Sequence, residues 1–282
     1  MTESKWITRN EISRNEKTDR SFFILKKNFT QLPKLQNPIL VEGLPGIGSV
    51  GKIAVDYLVD HLKSELLYKI YSYDFHPSVL LNSESFVELP AVNMHIYKGK
   101  NRDVVFLSGD VQPLDERSSY EFCEKILDLA QELGCSEVIT LGGIGLPSEI
   151  KNPVVFGAVT DKETLLRYRK FKGVNFNANQ RVEAIFGASG LLLGLARLRG
   201  MTGISLLAET YAHQLHLGFK EAKLLLQELT KIIDVKVNLN VLENQIKARD
   251  HEKARAKEEH QSKLIKAIKP QVSDRPDTIY IG

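Results

Sequence analysis

The sequence contains few cysteines and no long apolar run. Cys123 and Cys135 are the two cysteines among 282 residues, and their spacing fits neither a metal-binding motif nor a CxxC pair. No segment approaches the roughly 18 consecutive apolar residues of a membrane-spanning helix, and no apolar signal opens the chain. We therefore expect a soluble, cytoplasmic protein with reduced thiols and no membrane contact.

The sequence also has little excess charge of either sign. The 38 lysines and arginines nearly balance the 35 aspartates and glutamates, which leaves a net charge of +3. So small an excess does not predict nucleic-acid binding. The apolar fraction of 43% is ordinary for a globular protein, so the chain can form one large α/β domain or two small ones.

The stretch from Pro38 to Leu62 contains a strand, a glycine-rich loop and a helix in succession. Ile39–Val41 is a short apolar run typical of a buried strand, and a loop with four glycines follows it. From Ser49 onward, apolar residues recur on one face of a helix. Such a unit gathers backbone N–H groups at a helix N-terminus, an arrangement that suits an anion.

Two nucleotide-binding motifs overlap in this loop, and each lacks one essential residue. Gly46, Gly48 and Gly51 match GxGxxG, but no acidic residue stands about 20 residues later at the end of the next strand. Gly46 to Lys52 matches GxxxxGK, but Ile53 occupies the position of the Ser or Thr that holds Mg²⁺. These three glycines and Lys52 are therefore a candidate ligand loop. The alternative, which we favour, is a tight turn whose glycines permit positive φ and close helix–sheet packing.

Apolar runs and helical patterns alternate along the rest of the chain up to residue 238. Residues 91–98 and 103–108 predict a hairpin. Further strands are predicted at 137–141, 153–160 and 203–208, with helices between them. Glycine clusters at 142–145 and 187–190 predict turns like the first one. The pattern indicates an α/β fold with a mixed sheet.

No pattern for catalysis or metal binding is complete. Ser189 comes closest to the serine of GxSxG, but the final glycine is missing, and a helix N-cap explains it better. His213 and His216 are close enough to share a metal, but no third ligand is evident. Asp110 and Glu209 follow predicted strands, where capping a loop or helix explains them most simply. We therefore predict no catalytic residue, no metal and no cofactor.

Both ends of the chain differ in composition from its centre. Residues 1–20 are polar and charged, and predict a mobile arm. Residues 239–269 contain no glycine or proline and are rich in charged residues, which predicts a long exposed helix that acts as a strut or a weak oligomer contact. Residues 270–282 form a loose tail that ends in Ile279-Tyr280-Ile281-Gly282. An apolar, aromatic end is unusual for a terminus, and it predicts a docking peptide.

Five segments of the α/β region follow one another in an informative order and spacing. They are Leu40–Gly51, Ser108–Asp110, Thr140–Gly143 with Pro147, Phe186–Leu193 and Leu206–Thr210. This series resembles the PAC2 family of proteasome assembly chaperones, in its archaeal form, over residues 20–235.

The resemblance implies a particular fold and a particular kind of function. The implied fold is three-layer α/β/α with a central mixed sheet, similar to nucleoside phosphorylases and related hydrolases. It would occupy residues 21–238 and carry the charged helix as a long C-terminal extension. The implied function is non-enzymatic: an oligomer that helps to assemble the proteasome α-ring or binds the finished 20S core particle.

The resemblance also suggests a role for the C-terminal tail. Proteasome activators similar to this family end in an HbYX motif, in which a hydrophobic residue and a tyrosine precede the last residue. That peptide enters pockets between α-subunits, where its carboxylate meets a lysine. Ile279 and Tyr280 match the first two positions and Ile281 the third, so Gly282 is one residue too many and moves the carboxylate by about 3.5 Å. The predicted partner-binding residues are Ile279, Tyr280, Ile281 and Gly282.

The sequence is therefore compatible with three functions of different classes. The first is a non-enzymatic, homo-oligomeric proteasome assembly chaperone or activator that binds the α-subunits of the 20S core through its tail. The alternative is a nucleotide-binding or hydrolase-like enzyme that uses the glycine loop 43–52. A third hypothesis, nucleic-acid binding by the charged helix, predicts binding that weakens steeply with salt.

Overall fold

The computed structural model describes residues 23–247, which fall into two units divided after Val237. The strands of the larger unit are β1 (Phe23–Lys27), β2 (Ile39–Gly43), β3 (Glu65–Ser72), β4 (Leu80–Leu81), β5 (Val87–Glu88), β6 (Val92–Tyr97), β7 (Val104–Gly109), β8 (Glu137–Leu146), β9 (Val155–Val159), β10 (Val174–Asn175) and β11 (Thr202–Tyr211). Its helices are α1 (Val50–His61), α2 (Glu116–Glu132), α3 (Lys162–Tyr168), α4 (Ala188–Leu198) and α5 (Phe219–Ile232).

Within the described residues, nine strands form one mixed sheet in the order β1-β3-β6-β7-β2-β8-β11-β9-β10. The central strands β7, β2, β8 and β11 run parallel to one another. The predicted hairpin is formed by β6 and β7, and β3 and β1 extend the sheet antiparallel from it. Because the four central strands are parallel, their carboxyl ends meet at one edge of the sheet, where α/β proteins place their sites.

Helices cover both faces of this sheet. Helices α2 and α4 share an apolar core with Leu40, Val105 and Val138, which are register partners on β2, β7 and β8. Neighbouring strand residues point to the opposite face, where α1 and α5 contact each other. The predicted three-layer α/β/α fold with a mixed central sheet is thus confirmed.

Two local predictions near the sheet edge are wrong. The glycines at 142–145 are not a turn, because β8 continues through them to Leu146 and stays paired with β11. Their absent side chains leave room for the glycine loop, since a Cβ on Gly143 would lie 2.5 Å from the carbonyl oxygen of Ile47. Ser189 is not an N-cap either. Helix α4 begins at Ala188, with Gly187 at φ 76° as its N-cap, and the Ser189 hydroxyl donates to Glu42 Oε1.

The remaining predictions concern membrane spans, the cysteines and the two ends of the chain. No helix within residues 23–247 is long and apolar enough to span a bilayer. Both cysteines are free and buried. The second unit is helical from residue 240 to residue 247. The predicted N-terminal arm 1–20, the rest of the predicted helix 239–269 and the tail 270–282 lie outside the described residues.

Candidate functional site

A cavity of about 430 Å³ lies at the carboxyl ends of β2, β8 and β11. The glycine loop after β2, the glycines of β8, the segment 181–187 and the start of α4 form its lining. Its volume falls within the roughly 300–1,000 Å³ that is usual for small-molecule sites. The position is also the one at which open α/β sheets bind their ligands.

The glycine loop forms one wall of this cavity through its backbone. After β2, the chain makes a 3-10 turn at Ile47–Ser49 and enters α1. Gly48 has a φ of 62°, and a Cβ on it would lie 2.8 Å from Thr210 Oγ1. A Cβ on Gly51 would lie 2.3 Å from the carbonyl oxygen of Leu141. The predicted turn with positive φ and close helix–sheet packing is therefore present.

The candidate ligand loop divides into residues that face the cavity and residues that do not. Gly46 and Gly51 are among the lining residues, whereas Gly48 and Lys52 are not. Lys52 Nζ lies 2.8 Å from Asp56 Oδ2, one turn further along α1. The lysine of the GxxxxGK motif therefore pairs along its own helix instead of reaching over the loop.

Glu42 is the most unusual residue of the cavity. It carries an ionisable group on the central strand β2, and its side chain is 0% exposed. Oε1 accepts hydrogen bonds from the Leu44 N–H at 2.9 Å and from the Ser189 hydroxyl at 3.3 Å, whereas Oε2 has no partner among the described residues. Burial raises the pKa of Glu42 to about 7, because desolvation of the carboxylate outweighs these hydrogen bonds, which lower the pKa.

Two buried hydroxyls continue the polar row across the sheet. Thr140 on β8 is the register partner of Glu42, and Ser205 on β11 is the register partner of Thr140. Register partners on neighbouring strands share a face, so all three side chains lie on the side of α2 and α4. Thr140 Oγ1 and Ser205 Oγ are buried without a partner in the described part of the chain. Each unpaired buried polar group costs roughly 1–3 kcal/mol, so apolar packing does not account for the row.

Gln112 ties the two walls of the cavity together. Its Nε2 donates to the carbonyl oxygen of Pro45 at 2.6 Å, and its Oε1 accepts from the Ala188 N–H at 3.1 Å. One side chain from the loop after β7 thus holds both the glycine loop and the first turn of α4. The cavity is therefore bordered by fixed backbone.

An ion pair stands at the rim. Arg181 Nε donates to Glu209 Oε1 at 2.6 Å, and the other carboxylate oxygen of Glu209 accepts from the Val154 N–H at 3.2 Å. Asp110 likewise accepts from the N–H of Ala91. Both carboxylates therefore bond loop backbone, as the capping interpretation predicted. The guanidinium of Arg181 is already neutralised by Glu209.

The chemistry of the cavity follows from these contacts. Within the described residues, Ser189 and Glu42 bond to each other and to the backbone of Leu44 and Leu141, and not to a histidine. The site can bind a polar group and exchange a proton near neutral pH, but the described part of the chain places no triad base beside Ser189. His216 Nε2 lies 3.5 Å from Glu221 Oε1, and no group of three potential metal ligands occurs between residues 23 and 247.

Sequence reasoning missed the two residues that define the site. Glu42 directly follows the predicted strand Ile39–Val41, and a lone acid at the end of an apolar run was the available signal. Gln112 follows a strand end and carries no recognisable motif. The predicted partner-binding residues Ile279, Tyr280, Ile281 and Gly282 lie outside the described part of the chain.

Comparison with known proteins identifies relatives over almost the whole length of the chain. A model of the PAC2 family matches residues 40–257. The uncharacterized protein MJ1210 of Methanocaldococcus jannaschii is 31% identical over 261 residues, which cover 92% of this chain and 98% of that protein.

Solved structures agree with this assignment. PbaB of Pyrococcus furiosus, an archaeal proteasome activator, is 33% identical with a TM-score of 0.77, and the match covers 83% of this chain and 98% of PbaB. PbaA of the same organism, an archaeal homolog of proteasome-assembly chaperone, is 22% identical with a TM-score of 0.69, over 86% of this chain and 95% of PbaA, and supports the fold. The chain belongs to the PAC2 family, the family that its sequence resembled.

Proposed function

We propose that this PAC2 protein is a non-enzymatic proteasome assembly chaperone or activator that binds the α-subunits of the 20S core particle. The observation that carries the proposal is the similarity to PbaB, a proteasome activator, at 33% identity and over 98% of that chain. Since both the sequence and the fold are alike over that length, a related partner is the simplest inference. Fold similarity alone would not support a function.

The tail Ile279-Tyr280-Ile281-Gly282 is the docking peptide in this proposal. A hydrophobic residue followed by tyrosine is the pattern of the HbYX motif, and a free carboxylate close behind it forms a charge-assisted contact with a lysine. Gly282 adds one residue beyond the motif. We infer that the peptide binds with its carboxylate displaced, by at most about 3.5 Å along an extended chain.

Binding to purified 20S core particles tests the proposal. Surface plasmon resonance would compare the full chain with a chain that ends at Thr278 and with the Tyr280→Ala variant. We expect both changes to abolish binding or weaken it at least tenfold, since an aromatic anchor contributes much of the energy of such a contact. Val272→Ala, which removes an apolar side chain from the same tail outside the motif, is the matched control and should bind like the full chain.

The outcomes of this experiment separate the partner from the peptide. Absence of binding by the full chain to both the core particle and isolated α-subunits would refute the proposed function. Equal binding by the full and shortened chains would retain the partner but refute the tail as the docking peptide. Deletion of Gly282 alone tests the register: stronger binding is expected if the extra residue displaces the carboxylate.

An exposed apolar hairpin supports the proposal that the protein is a homo-oligomer. Strands β4 and β5 pair with each other at the surface. Leu81 and Val87 lie opposite one another and are 70% and 63% exposed, and Phe86 beside them is 62% exposed. Clustered apolar residues of this kind mark interaction surfaces. An oligomer would present several tails to one core particle, and each later contact would be intramolecular.

A further inference from the structure

We propose that the cavity at Glu42 binds a small neutral molecule carrying an amide or lactam group on an apolar body. The N–H of that group would donate to Glu42 Oε2, and its carbonyl would accept from the first-turn N–H groups of α4. This proposal concerns residues of the α/β body, whereas the proposed docking peptide belongs to the tail. The inference therefore stands on different residues from the proposed function and fails independently of it.

The carboxyl group of Glu42 offers an unused acceptor at the base of the cavity. Glu42 lines the cavity and is fully buried, and its Oε1 is held by Leu44 and Ser189, two other lining residues. These bonds fix the carboxyl group and leave Oε2 without a partner among residues 23–247. A buried polar group is normally paired, so an N–H supplied by a ligand would complete it.

The first turn of α4 offers unused donors beside this acceptor. Helix α4 has 11 residues and starts at the cavity, where Gly187 and Ser189 belong to the lining. Ala188 donates its N–H to Gln112, and Leu191 donates its N–H to the carbonyl oxygen of Gly187. The N–H groups of Ser189 and Gly190 between them have no acceptor within the helix. They present positive partial charge to the cavity, which favours a carbonyl oxygen.

The charges around the cavity favour a neutral ligand. An anion would face the Glu42 carboxyl, and Arg181 does not offset this because Glu209 already binds it. A cation would face the positive ends of α4 and of α1, whose residues Val50 and Gly51 also line the cavity. An amide carries a donor and an acceptor side by side without net charge, and it satisfies both halves of the site.

Apolar side chains form much of the remaining wall of the cavity. Ile47, Ile144, Ile185, Phe186 and Leu207 line the cavity. Phe186 and Ile47 are 87% and 48% exposed, so apolar surface continues outward. Covering these side chains with a ring would gain free energy in proportion to the apolar area removed from water. The body attached to the amide is therefore expected to be apolar.

Two neutral probes of nearly equal shape test the proposal directly. Benzamide and acetophenone differ by replacement of NH₂ with CH₃, so acetophenone keeps the carbonyl and the ring but loses the donor. Their binding to the full chain would be followed at pH 8, where the Glu42 carboxyl is ionised and Oε2 is an acceptor, by ligand-observed NMR. The site would be located from shifts of the protein amides of Gly46, Gly51 and Gly187. We expect benzamide to bind at least tenfold more tightly and to shift these three amides.

Acetophenone is the more apolar probe, so non-specific binding would favour it. Equal or tighter binding of acetophenone would overturn the proposal, as would binding that leaves the three glycine amides unshifted, or no binding of any amide at millimolar concentration. 2-Pyridone, a lactam, distinguishes the two ligand classes, lactams and open-chain carboxamides, that could supply the amide group. Tighter binding of 2-pyridone assigns a lactam as the ligand class, and tighter binding of benzamide assigns a carboxamide.

A variant at Glu42 tests whether its carboxyl group causes the preference for benzamide over acetophenone. In Glu42→Gln the free oxygen position becomes an amide NH₂, so the tenfold preference for benzamide over acetophenone should disappear. Glu84→Gln, at an exposed glutamate on the loop between β4 and β5, is the matched control and should retain the preference. An unchanged preference in Glu42→Gln would refute the role of Glu42. The comparison of probes on the unaltered chain holds even if that variant folds poorly.

Discussion

Glu42 places an ionisable group inside the most buried part of the sheet. Two hydrogen bonds hold one of its oxygens, and the other has no partner in the described residues. The cost of burying the charge exceeds the gain from these bonds, which is why the pKa of the carboxyl rises to about 7. Such perturbed groups cluster at functional sites, and this one lines the cavity.

The raised pKa predicts a pH-dependent stability that is specific to Glu42. Its pKa is 4.5 when unfolded and about 7 when folded, so the folded state holds a proton that the unfolded state releases between these values. The resulting stability is complete below pH 4.5 and is lost as the pH rises through 7. Glu42→Gln removes this loss. Its free energy of unfolding relative to the natural chain should rise by about 2–3 kcal/mol from pH 5 to pH 8.

Urea denaturation of both chains at pH 5 and pH 8 measures this difference. The control Glu84→Gln changes an exposed carboxyl and should track the natural chain at both values. Equal differences between Glu42→Gln and the natural chain at the two pH values would contradict the prediction, because they would mean that Glu42 titrates alike in the folded and unfolded states.

Substitution of glycine by alanine should have opposite effects on the free energy of unfolding at Gly51 and at Gly194. A Cβ on Gly51 would lie 2.3 Å from the Leu141 carbonyl oxygen, so Gly51→Ala forces α1 away from β8 and should lower the free energy of unfolding by about 1–3 kcal/mol. Gly194 is exposed inside α4 with no atom near its Cβ position, so Gly194→Ala should raise it by about 0.5–1 kcal/mol. Thermal melting distinguishes the two signs, and a stabilised Gly51→Ala would show that the helix has room to move.

Among the secondary-structure elements, the hairpin of β4 and β5 stands out because both of its strands are exposed. Most apolar strand residues of the large sheet are covered by helices, whereas Leu81, Phe86 and Val87 face solvent. Two-stranded hairpins are marginally stable alone, so contact with another molecule would stabilise this one.

Removal of apolar side chains from the hairpin of β4 and β5 should change the oligomeric state. The double variant Leu81→Ser/Val87→Ser removes an opposed apolar pair and should shift the protein towards the monomer in light scattering coupled to gel filtration. Leu114→Ser, at an equally exposed leucine outside the hairpin, is the matched control and should leave the molar mass unchanged. A double variant with the molar mass of the natural chain would exclude this surface as the contact.

The elements were predicted with different success for identifiable reasons. The hairpin of β6 and β7 comes from two clear apolar runs and was found where expected. Strand β8 was predicted to end at Leu141, because three glycines in four residues normally signal a turn. In the sheet those glycines remain in register with β11 and admit the loop above them, which depends on a contact distant in sequence.

In the molecule as a whole, the cavity lies on the α/β body, and the proposed docking peptide belongs to the C-terminal tail. If the tail is the docking peptide, affinity for the core particle depends on how many tails one assembly presents. The monomeric double variant Leu81→Ser/Val87→Ser should then bind at least tenfold more weakly than the natural chain, although its tail is unchanged.

Surface plasmon resonance at equal subunit concentration measures this loss. A single tail peptide ending in Ile279-Tyr280-Ile281-Gly282 should bind as weakly as the monomeric variant. If the monomeric variant binds as tightly as the natural chain, avidity plays no part, and one tail or another surface provides the affinity.

The amino-acid sequence by itself determined the α/β class, the mixed sheet and the family. These depend on apolar periodicity, turn residues and ordered segments, which local sequence records directly. Only the tertiary structure revealed the Glu42 site, because its properties arise where distant parts of the chain meet. Residues 42, 112, 140, 189 and 205 are brought together by strand pairing and by the start of α4. Burial, an unpaired oxygen and a raised pKa belong to that assembly, and no single segment contains them.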